Sequence, residues 1–121
     1  MSGSFVNWKM SPTANINSTP TLVFGNDQHT CIVDGIILSN LTDAIILVSL
    51  SVAREIEIGV ETTFVLAQQL PLQPFERIDA LLNMTLTLEP GDLLYANSDY
   101  AGNSFNIFVN YRELTETLGV F

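Results

Sequence analysis

The stretch of sequence that decides the fold is Met84 to Ser98, MTLTLEPGDLLYANS. Its first half alternates apolar Met84, Leu86 and Leu88 with threonines, which is the period-2 pattern of a strand with one buried face. Residues 89–92, Glu-Pro-Gly-Asp, predict a type II turn, because proline presets φ at the first central position and glycine tolerates positive φ at the second. Another strand begins at Leu93. The stretch therefore predicts antiparallel β-structure.

Strand signals recur along the chain, at residues 22–24, 29–40, 44–54, 62–70, 84–88, 93–97 and 105–112. Gly35 interrupts an apolar run and indicates a β-bulge, and Pro71 is expected to end the strand before it because proline cannot donate to a ladder. About eight short strands separated by turn residues predict an all-β fold. The expected architecture is an antiparallel β-sandwich, jelly-roll-like in its connections.

The chain divides by pattern into an N-terminal arm (residues 1–20), a β-sandwich domain (21–114) and a C-terminal tail (115–121). The arm lacks clear periodicity, yet Phe5, Trp8 and Met10 are costly to leave in water. It is a disordered leader, a segment folded over its own domain, or an extended arm that anchors on a neighbouring subunit. Under the last hypothesis, residues 1–19 are removable without unfolding. Phe108, on an otherwise polar strand face, and Phe121 in the tail are further candidate contacts.

Composition limits the class of protein. The 121 residues suffice for one domain, and 47% are hydrophobic while 14% are charged. Soluble domains carry about 25% charged residues, so we expect partners to cover part of the surface. Net charge is −9 and the four basic residues are scattered, which disfavours direct nucleic acid binding. No apolar run is long enough to span a membrane, and Cys31 as the only cysteine fits a reducing cytoplasm.

Catalytic and ligand-binding patterns were sought among the residue types that supply them. Glu55 and Glu57 form a short acidic run typical of a solvated edge rather than of an acid–base pair. His29 and Cys31 share one strand face but lack further ligands for a metal. There is no glycine-rich phosphate loop and no nucleophile elbow. The sequence therefore predicts neither an enzyme nor a bound metal or cofactor.

Three short motifs carry a resemblance to a known group of proteins. They are Leu38-Ser39-Asn40, the bridge Leu70-Pro71-Leu72-Gln73-Pro74, and Leu88-Glu89-Pro90-Gly91-Asp92-Leu93. With them, residues 21–114 resemble the small β-sandwich structural proteins of tailed bacteriophages. The chain departs from that pattern at residues 75–77, Phe-Glu-Arg, where a small Gly/Ser turn is expected.

The resemblance implies a virion component made in the host cytoplasm. The most direct expectation is a capsid cement or decoration protein that binds the major capsid protein, or other virion proteins, across capsomer junctions; a neck or tail accessory protein is the variant. A homo-oligomer, dimer or trimer, on a symmetry axis follows. The group has no catalytic residues to transfer. The expected partner contacts are Phe5, Trp8, Met10, Phe108 and Phe121.

A second class of function is a β-sandwich module that binds carbohydrate or a host receptor. Aromatic side chains on loops are suited to stacking against sugars or receptor surfaces. Trp8, Tyr95 and Tyr100 are the candidates, although Tyr95 lies in a predicted strand. Binding of the purified domain to glycans, with no binding to empty capsids, separates this hypothesis from the first.

Overall fold

A computed structural model of the protein describes the backbone of residues 5–115 and the side chains of residues 9–114. In this part the chain forms two antiparallel sheets and no helix, which confirms the predicted all-β sandwich class. It accordingly holds no helical segment with the length and apolarity needed to cross a membrane. The strands are β1 (Phe5–Ile16), β2 (Thr21–Gly25), β3 (Cys31–Asn40), β4 (Ile46–Glu57), β5 (Val60–Leu72), β6 (Arg77–Asp79), β7 (Leu86–Leu88), β8 (Leu93–Ser98) and β9 (Phe105–Thr115).

The strands pair in a nested order. β4 and β5 form the innermost hairpin, β3 pairs with β6 and β7, β2 pairs with β8, and β1 pairs with β9. Successive pairs alternate between two sheets. The first sheet has the order β1-β9-β3-β6, with β7 also on β3, and the second has the order β2-β8-β4-β5. The topology leaves β1 and β2 at one side of the sandwich and β5, β6 and β7 at the other.

The core fills the space between the sheets with the alternate residues of each strand. On β4, Val48 and Leu50 are buried while the serines between and after them are only partly buried. Ile107 and Val109 on β9 face them from the other sheet in the same buried cluster. Each fully buried aliphatic side chain of this size stabilises the fold by about 1.5–3 kcal/mol relative to exposure.

The bulge predicted at Gly35 is confirmed. The register between β3 and β9 shifts between Val33 and Gly35. The carboxylate of Asp79 on β6 lies beside the bulge, where its Oδ1 accepts hydrogen bonds from the backbone N–H groups of Ile36 (3.1 Å) and Leu81 (3.0 Å). Asp79 thus satisfies a donor that the irregular ladder leaves without a backbone partner.

Residues 5–16 belong to the sandwich, so of the three alternatives for the N-terminal segment they agree with the one that folds onto its own domain and not with an extended arm. They form β1, which pairs with β9 from Phe5 opposite Thr115 to Ile16 opposite Phe105. Ile16 is buried in the core. Removal of residues 1–19 would take away this side chain and leave one side of β9 unpaired, so we now expect that deletion to unfold the domain rather than to spare it.

One detail of the β4–β5 hairpin also differs from the sequence-based expectation. β5 does not end before Pro71 but continues to Leu72, with Pro71 opposite Leu47. The backbone N–H and carbonyl of Leu47 point away from β5. The N–H donates to Asp99 Oδ1 (2.9 Å), and the carbonyl accepts from the N–H of Asp99 (3.0 Å). The position opposite Leu47 therefore needs no donor, and an edge strand tolerates proline there.

The buried side chain of Asn40 joins the two sheets at one end. Its Nδ2 donates to the carbonyl oxygens of Ala44 (2.9 Å), Leu72 (3.2 Å) and Gln73 (2.8 Å). Its Oδ1 accepts from both the N–H and the hydroxyl of Thr42, each at 2.8 Å. One amide thus ties the end of β3, the β3–β4 turn and the end of β5 together.

Replacing Asn40 by alanine is predicted to destabilise the fold by about 2–4 kcal/mol, because the backbone groups of three segments lose their shared partner at once, the buried carbonyl of Leu72 among them. Urea unfolding followed by circular dichroism measures the change. Asn103→Ala, in an exposed loop, is the matched control and should stay within about 0.5 kcal/mol of wild type. An Asn40→Ala midpoint equal to that of the control would contradict the structural role.

Candidate functional site

An open apolar patch lies on the outer face of the β1–β9–β3 sheet. Phe108 sits in the middle of β9, opposite Pro12 on β1 and Ile37 on β3. Met10, two residues from Pro12 along β1 and therefore on the same face, is 58% exposed. Met10, Ile37 and Phe108, with Arg77 of β6, line a shallow groove of about 400 Å³. The structure therefore brings together Met10 and Phe108, two of the predicted contact residues.

A salt bridge fastens β1 to β9 on the other face of the sheet, because Lys9 alternates with Met10 along the strand. Lys9 Nζ lies 2.6 Å from Glu113 Oε1 on β9, and Asn26 Nδ2 donates to the other carboxylate oxygen of Glu113 (2.7 Å). The hydrogen bond from Lys9 lowers the pKa of Glu113 below its ordinary value, and the same bond raises the pKa of Lys9. The pair therefore links the edge strand to the sheet interior.

A second ion pair borders the patch on the same sheet. Arg112 Nε donates to Asp34 Oδ2 (2.8 Å) and Arg112 Nη2 donates to Asp34 Oδ1 (2.9 Å). This two-bond arrangement fixes the guanidinium and carboxylate planes relative to each other. It joins β9 to the bulged part of β3 and gives the patch a polar margin.

The structure gives only partial information on the other predicted contact residues, Phe5, Trp8 and Phe121. Phe5 and Trp8 lie in β1, opposite Thr115 and Arg112, but their side chains are outside the described part of the chain. Phe121 lies wholly outside the described residues. Their role as contacts stays a prediction.

The exposed edge of β5 was missed by the sequence-based reasoning. Among the described side chains, most of the large hydrophobic residues that remain exposed lie between residues 56 and 84: Ile56, Ile58, Val60, Phe64, Val65, Leu66, Phe75, Leu82 and Met84. A signal was present, because residues 62–72 contain no charged side chain. Such a run indicates burial, and the strand order instead places it at an edge.

The Glu89–Asp92 turn is structural. Gly91 has a φ of 92° and the N–H of Asp92 donates to the Glu89 carbonyl (3.0 Å), which are the features of the predicted type II turn. The buried carboxylate of Asp92 accepts two hydrogen bonds from Arg54 and one from the N–H of Glu89. Its acceptor capacity is therefore used in holding the turn against β4.

Histidine, cysteine and carboxylate groups are the side chains that could bind a metal ion. Among the described residues, no group of three or more such side chains is placed to hold a metal ion. Cys31 is buried in the core, where desolvation raises the pKa of its thiol. Its Sγ contacts the carbonyl of His29 (3.7 Å), so it packs as a core residue.

The aromatic residues of the glycan-binding hypothesis are spread over the fold. Tyr95 lies within β8, where it pairs with Leu22 of β2 and Ser51 of β4. Tyr100 is 46% exposed in the loop after β8. The backbone of Trp8 belongs to the other sheet. The backbone positions thus divide these three residues between two strands of different sheets and a loop.

No family model, curated protein or solved structure matches this chain. The fold class therefore rests on the strands and their pairing. The function rests on the two surfaces described above, the Met10–Phe108 patch and the β5 edge, together with the sequence motifs.

Replacing Glu113 by glutamine is predicted to lower the free energy of unfolding at neutral pH but to change it little in acid. The pKa of Glu113 is lowered from its ordinary value of 4.5, so its stabilising contribution is present above that pH and is lost as the pH falls through the folded-state pKa. Urea unfolding between about pH 3 and pH 7 measures this. The variant should be less stable than wild type at neutral pH and approach it in acid.

The control for the loss of one negative charge is Glu57→Gln at the exposed end of β4. If Glu113→Gln were destabilised equally across the whole pH range, the ion pair with Lys9 would not be the source of the effect.

Proposed function

We propose that this chain is a structural protein of a tailed-bacteriophage virion that decorates the capsid and stabilises it by binding across capsomer junctions. The observation that carries the proposal is the Met10–Phe108 patch. Apolar side chains converge there on a sheet face that is open to solvent. Contiguous exposed apolar surface is a common mark of a protein contact site.

The patch is suited to a structural contact rather than to catalysis. Its residues come from three strands of one sheet, so their spacing is set by the backbone ladder. A rigid surface of this kind loses little conformational entropy on binding. Many copies, each adding a modest interface, would sum to a large stabilisation of a shell.

The phage resemblance supports the same proposal through residues that meet in the fold. Asn40 of the first motif donates to the carbonyls of Leu72 and Gln73 in the proline-containing bridge. Two of the three motifs on which the resemblance depends are therefore parts of one contact. Motifs that cooperate in holding a fold are more informative than isolated short matches.

Replacing Phe108 by serine is predicted to weaken binding to virus particles that lack this protein by roughly tenfold to a hundredfold, the range for loss of a central aromatic contact. Cosedimentation of the purified variant with such particles measures it, and circular dichroism checks that the variant folds. Tyr95→Ser, on the outer face of the opposite sheet, is the matched control and should bind as wild type does.

Three results would contradict the proposal. One is undiminished binding by Phe108→Ser. Another is binding of the wild-type protein to isolated tails but not to capsids, which would favour a neck or tail position. The third is binding to a glycan array that Tyr95→Ser or Tyr100→Ser abolishes, with no binding to capsids, which would favour the carbohydrate-binding class.

A further inference from the structure

The four edges of the two sheets are protected to different degrees. Edge strands are normally kept from pairing with other chains by being short, or by charge or proline. β2, β6 and β7 are five, three and three residues long, and β1 carries Lys9 and Pro12 along its length. β5 has thirteen residues, and its only proline is Pro71 near the end. In the described part of the chain, β5 is thus the long edge with the least protection.

The first half of β5 also presents free backbone groups in a regular row. Because Leu47 directs its polar groups toward Asp99, the alternation along an antiparallel strand directs those of Val52 and Arg54 toward β5. Their partners are Phe64 and Thr62. The backbone groups of the residues between and beside these partners therefore point away from β4; those residues are Glu61, Thr63 and Val65.

The regular row has defined limits. The hairpin turn at Ile58 and Gly59 ends it on one side. On the other side the register against β4 shifts between Val65 and Ala67, and Gln69 has a φ of 54°. Such irregularities bend an edge away from a straight partner. The segment open to pairing is therefore residues 61–65, and its centre is Thr63.

We propose that this edge is the interface between two copies of the chain, which pair antiparallel through β5 about a two-fold axis at Thr63. The second sheets of the two copies then form one continuous eight-stranded sheet. Pairing about Thr63 places Glu61 of each copy opposite Val65 of the other. No like charges face each other across the axis.

A second copy suits this edge better than an unrelated strand does. The occupant must be a strand with its own free row of backbone groups, and β5 supplies one that is already ordered within a sheet, so little entropy is lost on pairing. An isologous pairing also closes, because each copy covers the unprotected edge of the other. The neutral run of residues 62–72 lets two chains of net charge −9 approach here.

The apolar surface beside β5 extends the contact beyond the five pairing residues. Phe64 and Leu66 of β5, with Leu86 and Leu88 of β7, line an open groove of about 160 Å³ at this side of the sandwich. A standard interface takes about 800 Å² from each partner, about one ninth of the accessible surface of 7108 Å². Residues 61–65 alone are too few for this area, so the apolar side chains of the groove must supply part of it.

Two substitutions of one exposed residue test the proposal. Val65→Glu places the new carboxylate of each copy opposite Glu61 of the other. This repulsion at both ends of the pairing should weaken the affinity of the dimer by roughly tenfold or more. Val65→Lys removes the same apolar side chain but faces Glu61 of the other copy, so it should remain dimeric. Sedimentation equilibrium of purified protein distinguishes the 13.3 kDa chain from its dimer.

The matched control is Leu22→Glu. Leu22 and Val65 end one cross-strand row, Leu22–Tyr95–Ser51–Val65, at opposite edges of the same sheet, and this variant should stay dimeric. The proposal is overturned by a wild-type monomer at high micromolar concentration, by a trimer, by equal dissociation of Val65→Glu and Val65→Lys, or by dissociation of Leu22→Glu alone. Because only purified protein is used, the outcome does not depend on the virion proposal.

Disulfide cross-linking gives an independent measurement. Thr63→Cys places one thiol of each copy beside the axis, and oxidation should give a covalent dimer. The native Cys31 is fully buried and does not compete. Asn103→Cys, in an exposed loop, measures random cross-linking. A yield for Thr63→Cys no higher than that of Asn103→Cys would overturn the proposed axis.

Discussion

The fold depends on the buried amide of Asn40. The two N–H bonds of this amide are shared among three carbonyls and its oxygen accepts two hydrogen bonds from Thr42, so its removal leaves polar groups of three segments without a partner, the buried Leu72 carbonyl among them. Because its partners include Leu72 and Gln73 at the end of β5, it links the end of β3 in one sheet to the end of β5 in the other. The relative position of the sheets, and with it the placement of both candidate surfaces, follows from this contact.

The few positive charges of the chain are used inside the fold. Lys9 bonds to Glu113, Arg54 to Asp92 and Arg112 to Asp34. Each pair joins different elements, so three of the four basic residues fasten strands or turns. The fourth, Arg77, is exposed beside the Met10–Phe108 patch, and the rest of the described surface is mostly acidic or neutral. It therefore favours contacts through apolar side chains and backbone groups, which is the character of both the Met10–Phe108 patch and the β5 edge.

The two surfaces have compatible positions. The patch lies on the outer face of the β1–β9–β3 sheet, whereas β5 lies at the edge of the other sheet. A dimer formed through β5 would leave the patch of each copy uncovered. One protein could then bind two copies of a shell component while its own pairing sets the distance between them. The proposed self-association and the proposed shell binding would thus use separate surfaces of one sandwich.

The sequence by itself predicted seven of the nine described strands, all but β1 and β6, together with the Glu89–Asp92 turn and the bulge at Gly35, because alternation, proline, glycine and their neighbours act over a few residues. It did not identify β1, whose pattern is interrupted by Pro12 and Asn15, since an edge strand needs no continuous ladder on both sides. It named Met10 and Phe108 singly, but their proximity depends on pairing between the two ends of the chain. The apolar pattern of β5 indicated burial. Only the tertiary structure decided its exposure, because strand order is set by long-range packing that no local pattern records.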